Sequence, residues 1–247
     1  MVVVSTSDRL SRVAMIPVAP ALLVQAKRLR RTALILPPAG GEWSGSIEGT
    51  HPLRLLVLGD STAAGVGTES QLDALPGSLG RELASRLGRG VEWRAIGESG
   101  ATSRDLLARF LDDATRDSYD VVFLSIGAND ALGLRSRGAF ARDIRSILSR
   151  LRSRNPDATI LMSSLPAFGR FKLLPDPLRS ALYRHSRSLE AAARAVVDEL
   201  PGVSMSAPPP PYTEGFFATD LFHPSASGYR DWARFALDDA FAGGHLA

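Results

Sequence analysis

The sequence predicts an α/β domain built on a parallel sheet, and three observations carry that prediction. From Leu53 onward short apolar runs alternate with longer amphipathic segments, the pattern of βαβ units. The runs Leu55–Leu58 and Val121–Ile126 are apolar without alternation, as strands covered on both faces are. Both end abruptly in glycine-bearing polar turns, Gly59-Asp60-Ser61 and Gly127-Ala128-Asn129-Asp130. Such turns put polar residues at the carboxyl edge of the sheet, where open α/β folds hold their ligands.

Taken in order, residues 1–52 form an N-terminal arm that differs in character from the rest. Val13–Val24 is apolar but too short to span a bilayer, which needs ~20 residues, and it contains Pro17 and Pro20. Arg9 and Arg12 precede it, and Val24-Gln25-Ala26 resembles a small-residue cleavage site, so a secretory signal is one reading. Lys27, Arg28, Arg30 and Arg31 follow at once, so peripheral membrane contact through residues 13–31 is another. A structural arm covering the domain is the preferred one, and Pro37-Pro38-Ala39-Gly40-Gly41 reads as a linker into the core.

Leu53–Leu58 is the first strand. After the Ser61 turn, which is expected to open a helix, Leu79, Leu83 and Leu87 recur at helical spacing until Gly88 and Gly90. Val91–Ile96 is the second strand, Gly97 to Thr102 a turn, and Leu106, Leu107, Phe110 and Leu111 a helical stripe. Val121–Ile126 is the third strand. A helix over Phe140–Leu151 stops at Asn155-Pro156, and Thr159–Met162 is the fourth strand. Leu165–Pro177, rich in proline and phenylalanine, is long enough to be a functional loop. Leu182–Leu200 is helical and Val203–Met205 a short fifth strand. Pro208 to Pro211 is an extended segment, and a last helix carries Tyr229, Trp232, Phe235 and Leu237.

Composition narrows the function. At 247 residues the chain has room for one sizeable domain. It has no cysteine, which removes disulfides and thiolate metal sites. Net charge is +3 with 29 basic and 26 acidic residues interleaved, the pattern of solvated helix faces rather than a nucleic-acid surface. Any imidazole base must come from His51, His185, His223 or His245.

Ester cleavage needs a hydroxyl nucleophile, an imidazole base, an acceptor that fixes the imidazole tautomer, and donors for the oxyanion. Ser61 stands at a strand end, and Asp220 and His223, three residues apart, can be presented by one turn. Asn129 offers a neutral amide donor, Gly100 a backbone N–H open to close approach, and Ser61 its own N–H. His51, His185 and His245 read as solvated bystanders, while Asp60 and Asp130 read as acceptors that fix their turns. Ser99 imitates a nucleophile elbow without its second glycine, and Gly65-Val66-Gly67 lacks the third glycine of a dinucleotide fingerprint. Phe168 and Phe171 are read either as core or as a substrate-facing wall, with Phe216, Phe217 and Phe222 as candidates for the same pocket.

Together, Gly59-Asp60-Ser61, Ser99-Gly100-Ala101-Thr102, Gly127-Ala128-Asn129-Asp130 and Asp220-Leu221-Phe222-His223-Pro224 resemble the four blocks of the SGNH-hydrolase (GDSL-like) esterase superfamily. Thr62 stands where the family name has leucine. The resemblance covers about residues 53–236 and makes 53–247 the catalytic domain. It implies a flavodoxin-like three-layer α/β/α fold with five parallel strands and no metal or organic cofactor. It also implies Ser61 as nucleophile, Asp220 and His223 as its triad partners, and Ser61, Gly100 and Asn129 as the oxyanion hole.

The expected function is therefore hydrolysis of small-molecule carboxylic esters, with short-to-medium acyl groups favoured by the aromatic loops. A lysophospholipase or acyl-thioester hydrolase at a membrane surface is the alternative. A binding module without turnover is a third reading, which the intact Ser61, Asn129, Asp220 and His223 disfavour. No nucleic-acid partner is expected. The expected location is cytoplasmic or peripheral to a membrane, with secretion as the alternative.

Overall fold

The computed structural model describes residues 11–210 and 212–246. Arg9 and Pro211, invoked above for the basic flank and the proline segment, lie outside the described residues. The strands of a central sheet are β1 (Ser44–Ile47), β2 (Leu53–Gly59), β3 (Val91–Gly97), β4 (Val121–Ser125), β5 (Thr159–Met162) and β6 (Val203–Met205). They lie in the order β1-β3-β2-β4-β5-β6. β2 to β6 pair in parallel in a flavodoxin-like order, whereas β1 is antiparallel to β3. The sheet thus has six strands where five were expected. The extra one is an edge strand from the N-terminal arm, held by the register of Ser44 with Arg94 and Ile47 with Val91.

Helices cover both faces, giving three layers. Leu56 and Leu58 of β2, with Val122 and Leu124 of β4, point into a core shared with the helices Arg137–Arg154 and Leu178–Val197. Their neighbours Leu55, Val57 and Phe123 point the other way, against Leu75–Leu87 and Ala226–Ala242. That reversal within an unbroken apolar run is the period-two geometry of a strand buried on both sides. Leu75–Leu87 ends at Gly88 in the left-handed conformation, as its sequence predicts. The stripe at Leu106–Leu111 is helical but runs through a π turn, Leu106–Phe110, between Ser103–Asp105 and Leu111–Ala114.

The first described residues form a 3-10 segment, Val13–Val18, and a helix, Ala19–Thr32. Met15 and Leu22 are buried in the first core, and Gln25 grips the chain ahead of Leu178–Val197. Its amide nitrogen donates to the Asp176 carbonyl at 2.7 Å and its oxygen accepts from the Leu178 N–H at 3.0 Å. No helix among the described residues is long and apolar enough to cross a membrane.

His51 and His245 are exposed as expected, but His185 is not a solvated bystander. It is 1% exposed, and its Nδ1 lies 3.0 Å from the Oγ of buried Ser11. Burial holds its imidazole below the usual histidine range. The N-terminal segment supplies the cover that makes this position interior.

Candidate active site

Ser61 lies two residues past the end of β2, in a run of turns rather than at the head of an α-helix. Val66 N–H closes back on the Ser61 carbonyl at 3.0 Å and Ala64 N–H on the Asp60 carbonyl at 3.1 Å, and the next helix begins only at Leu75. The expected helix dipole behind Ser61 is therefore absent, and the turn is held by side chains instead. Asp60 Oδ1 accepts from the Thr62 N–H and hydroxyl, both at 3.1 Å, and Thr62 Oγ1 lies 2.8 Å from Ser125 Oγ at the end of β4. Burial pushes the Asp60 carboxyl up to about 6, opposed by those two Thr62 bonds.

The loop from Ala218 to Pro224 brings the second half of the site. Leu221 takes a positive φ of 56°, and the resulting tight turn lets Asp220 and His223 face each other. Asp220 Oδ1 accepts the backbone N–H groups of Phe222 and His223 at 2.9 and 3.0 Å, while its Oδ2 lies 2.6 Å from His223 Nδ1. His223 Nε2 lies 3.0 Å from Ser61 Oγ. With the Nδ1 proton given to Asp220, Nε2 is left to accept from the serine hydroxyl.

The two halves meet because Gly67 allows it. Gly67 has φ +103°, and a Cβ there would stand 2.2 Å from the Pro224 carbonyl oxygen. Tyr229, fully buried in the last helix, donates to the Val66 carbonyl at 2.8 Å and ties that helix to the same turn.

The turns after β3 and β4 are fastened together. Asn129 Nδ2 donates to the Ala101 carbonyl at 3.0 Å. Asp130 accepts from the Ser103 N–H at 2.9 Å and its hydroxyl at 2.7 Å, and burial raises its carboxyl against those bonds. Gly100 has φ +86° with open space where a side chain would project. The N–H groups of Ser61 and Gly100 make no hydrogen bond among the described residues, so both remain available as donors.

A cleft of about 940 Å³, counted with its open mouth, adjoins Ser61 and His223. Phe171, Phe216, Phe217 and Phe222 line it. Phe168 does not: it is completely buried and packs behind, with its ring 5.2 Å from Phe171 and 6.3 Å from Phe222. Tyr212, Trp232 and Phe235 also line the cleft and were not expected there. Trp232 and Phe235 lie on the last helix, and their spacing gives no sign that one side of that helix faces a cavity. Among the described residues no cluster of histidine and carboxylate side chains is disposed to hold a metal ion.

Comparison with known proteins agrees with this architecture. The sequence pattern of the GDSL-like lipase/acylhydrolase family matches residues 57–230. A GDSL-like esterase of Mycobacterium tuberculosis is 31% identical over 201 residues, covering 76% of this chain, and the chain spans only 62% of that relative's length. A lipase from a goat rumen metagenome shares the fold with a TM-score of 0.61 at 16% identity, over 78% of this chain and 98% of that one. An acetylxylan esterase from Geobacillus stearothermophilus does so with a TM-score of 0.54 at 20% identity, over 77% and 94%. With the family pattern running from inside β2 into the last helix, across all four site-bearing turns, the chain belongs to the GDSL-like lipase/acylhydrolase family.

Proposed function

We propose that this protein hydrolyses carboxylic esters through an acyl-enzyme on Ser61. The observation that carries the reading is the continuous contact from Asp220 through His223 to Ser61 beside an apolar cleft. As Ser61 Oγ attacks the ester carbonyl, its proton passes to His223 Nε2, and Asp220 steadies the imidazolium. The oxyanion that forms is held by the N–H groups of Ser61 and Gly100 and by the Asn129 amide. Collapse of the tetrahedral intermediate breaks the bond to the alcohol oxygen, which leaves with the proton from His223. Water then enters, gives a proton to His223 as it attacks the acyl carbon, and the acid departs as Ser61 recovers its proton.

The cleft favours an acyl chain over a sugar acetate. Its exposed walls are mainly apolar, with seven aromatic and four proline side chains among them, and such surface rewards burial of methylenes at about 0.8 kcal/mol each. The three relatives compared above are described as a lipase and as esterases, in keeping with ester cleavage. The test is labelling by a serine-directed fluorophosphonate together with hydrolysis of p-nitrophenyl butyrate. Both are expected in the parent protein and both lost in Ser61→Ala; retention of hydrolysis in a folded Ser61→Ala protein overturns the reading.

A further inference from the structure

We propose that the outward face of residues 13–35 docks the protein on an anionic lipid surface, with the mouth of the cleft beside it. In the helix Ala19–Thr32, Leu22, Gln25, Ala26 and Leu29 face the domain. The opposite side is divided along its length. Its first turns expose Leu23 and Val24 at 70% and 69%, and its last turns expose Lys27, Arg28, Arg30 and Arg31. The flanking chain adds Ile16 at 67% and Ile35 at 89% exposure.

Neither half is explained by the fold. Among the described residues the apolar side chains meet nothing that buries them, in a domain whose other apolar residues are mostly interior. The basic residues form no ion pair among the described residues. From Ser11 to Gly41 the sequence has no acidic residue at all, although acids nearly balance bases over the whole chain. An apolar end with an adjoining uncompensated cationic end is complementary to acyl chains beneath anionic headgroups. Nucleic acid would answer the charge but not the exposed leucine, valine and isoleucines.

The surface continues toward the cleft. Gln25 holds Asp176, which with Arg170, Arg179 and Arg184 lines a second, open and cationic depression. Arg170 Nη1 in turn donates to the Pro209 carbonyl at 2.7 Å, and Pro209, Pro210 and Phe171 line the catalytic cleft. A lipid surface engaged by the helix thus borders the cleft through one loop, residues 165–177.

The inference stands apart from the ester chemistry, and so does its test. The full chain carrying Ser61→Ala is sedimented with vesicles of phosphatidylcholine alone and of an equal mixture with phosphatidylglycerol. Binding is expected to the mixed vesicles only and to weaken as salt rises. Lys27→Glu and Arg28→Glu should each weaken it about fivefold or more, and Leu23→Ser with Val24→Ser about tenfold. In the Ser61 background these variants should keep the parent rate on soluble p-nitrophenyl acetate, since the residues are exposed and distant in the chain from the four turns. No sedimentation with mixed vesicles at low salt overturns the proposal. Unchanged sedimentation in the variants does the same, and so does retention on duplex DNA without vesicle binding. A dimer that Leu23→Ser dissociates while vesicle binding stays constant assigns the face to a second copy instead.

Discussion

The side-chain amide of Asn129 donates to the Ala101 carbonyl at 3.0 Å, joining the turn after β4 to the turn after β3. An amide nitrogen carries two protons, so this bond fixes the plane of the group and leaves one proton to point elsewhere. Such a donor costs little to reorganise when negative charge develops beside it. Asn129→Ala is expected to lower kcat by about 10²–10³ with little change in KM, the mark of an interaction made mainly in the transition state. Steady-state kinetics on a p-nitrophenyl ester checks this, and a loss confined to KM would assign Asn129 to ground-state binding.

Asp220 has two tasks that a single substitution can separate. One carboxylate oxygen organises the backbone of Phe222 and His223, and the other holds the imidazole. Asp220→Asn keeps an acceptor for the backbone but no longer stabilises the imidazolium or enforces the productive tautomer. Turnover should fall by about 10⁴ with the fold intact, measured by kinetics alongside circular dichroism. A fall below tenfold would leave His223 able to work without its acid.

The parallel core was legible because its signals are local. Thr159–Met162 carries its own apolar run, and Asp220 and His223 share one turn. What escaped notice depends on partners far away in the chain. Ser44-Gly45-Ser46-Ile47 has no apolar run, and it becomes a strand by lying on β3, where a Cβ at Gly45 would come within 2.5 Å of the Trp93 ring. His185 lies among arginines in sequence, yet Ser11 covers it from 174 residues away. Phe168 and Phe171 look equivalent in their loop; packing alone sends one behind the wall and the other onto it.

The buried carboxyl of Asp60 makes a stability prediction with a definite sign. Its pKa stands near its ordinary value of 3.8 when unfolded and about 6 when folded, so the folded state holds the proton more tightly. The stability this gives is present below about pH 4 and is lost as pH rises through about 6. The difference corresponds to on the order of 3 kcal/mol. Asp60→Asn keeps an oxygen for Thr62 and removes the charge. It should therefore raise the melting temperature at about pH 8 and leave it nearly unchanged at about pH 4. Destabilisation at both pH values would mean that the carboxylate is needed by Thr62 and Ser125 more than its burial costs.

The cleft walls predict acyl preference. Phe216 and Phe217 are partly exposed at its mouth and pack on Tyr212 at ring distances of 4.5 and 5.0 Å. An acyl chain laid along them removes apolar surface from water on both sides, at about 25 cal/mol per Å². Over a series of p-nitrophenyl esters, kcat/KM should rise from acetate through butyrate to hexanoate, by about threefold per added methylene while the chain stays within the walls. Phe217→Ala should flatten that rise and leave acetate hydrolysis within about twofold of the parent, because acetate does not reach the ring. A steady decline from acetate onward would place the acyl group outside the cleft and give the aromatic wall to the alcohol.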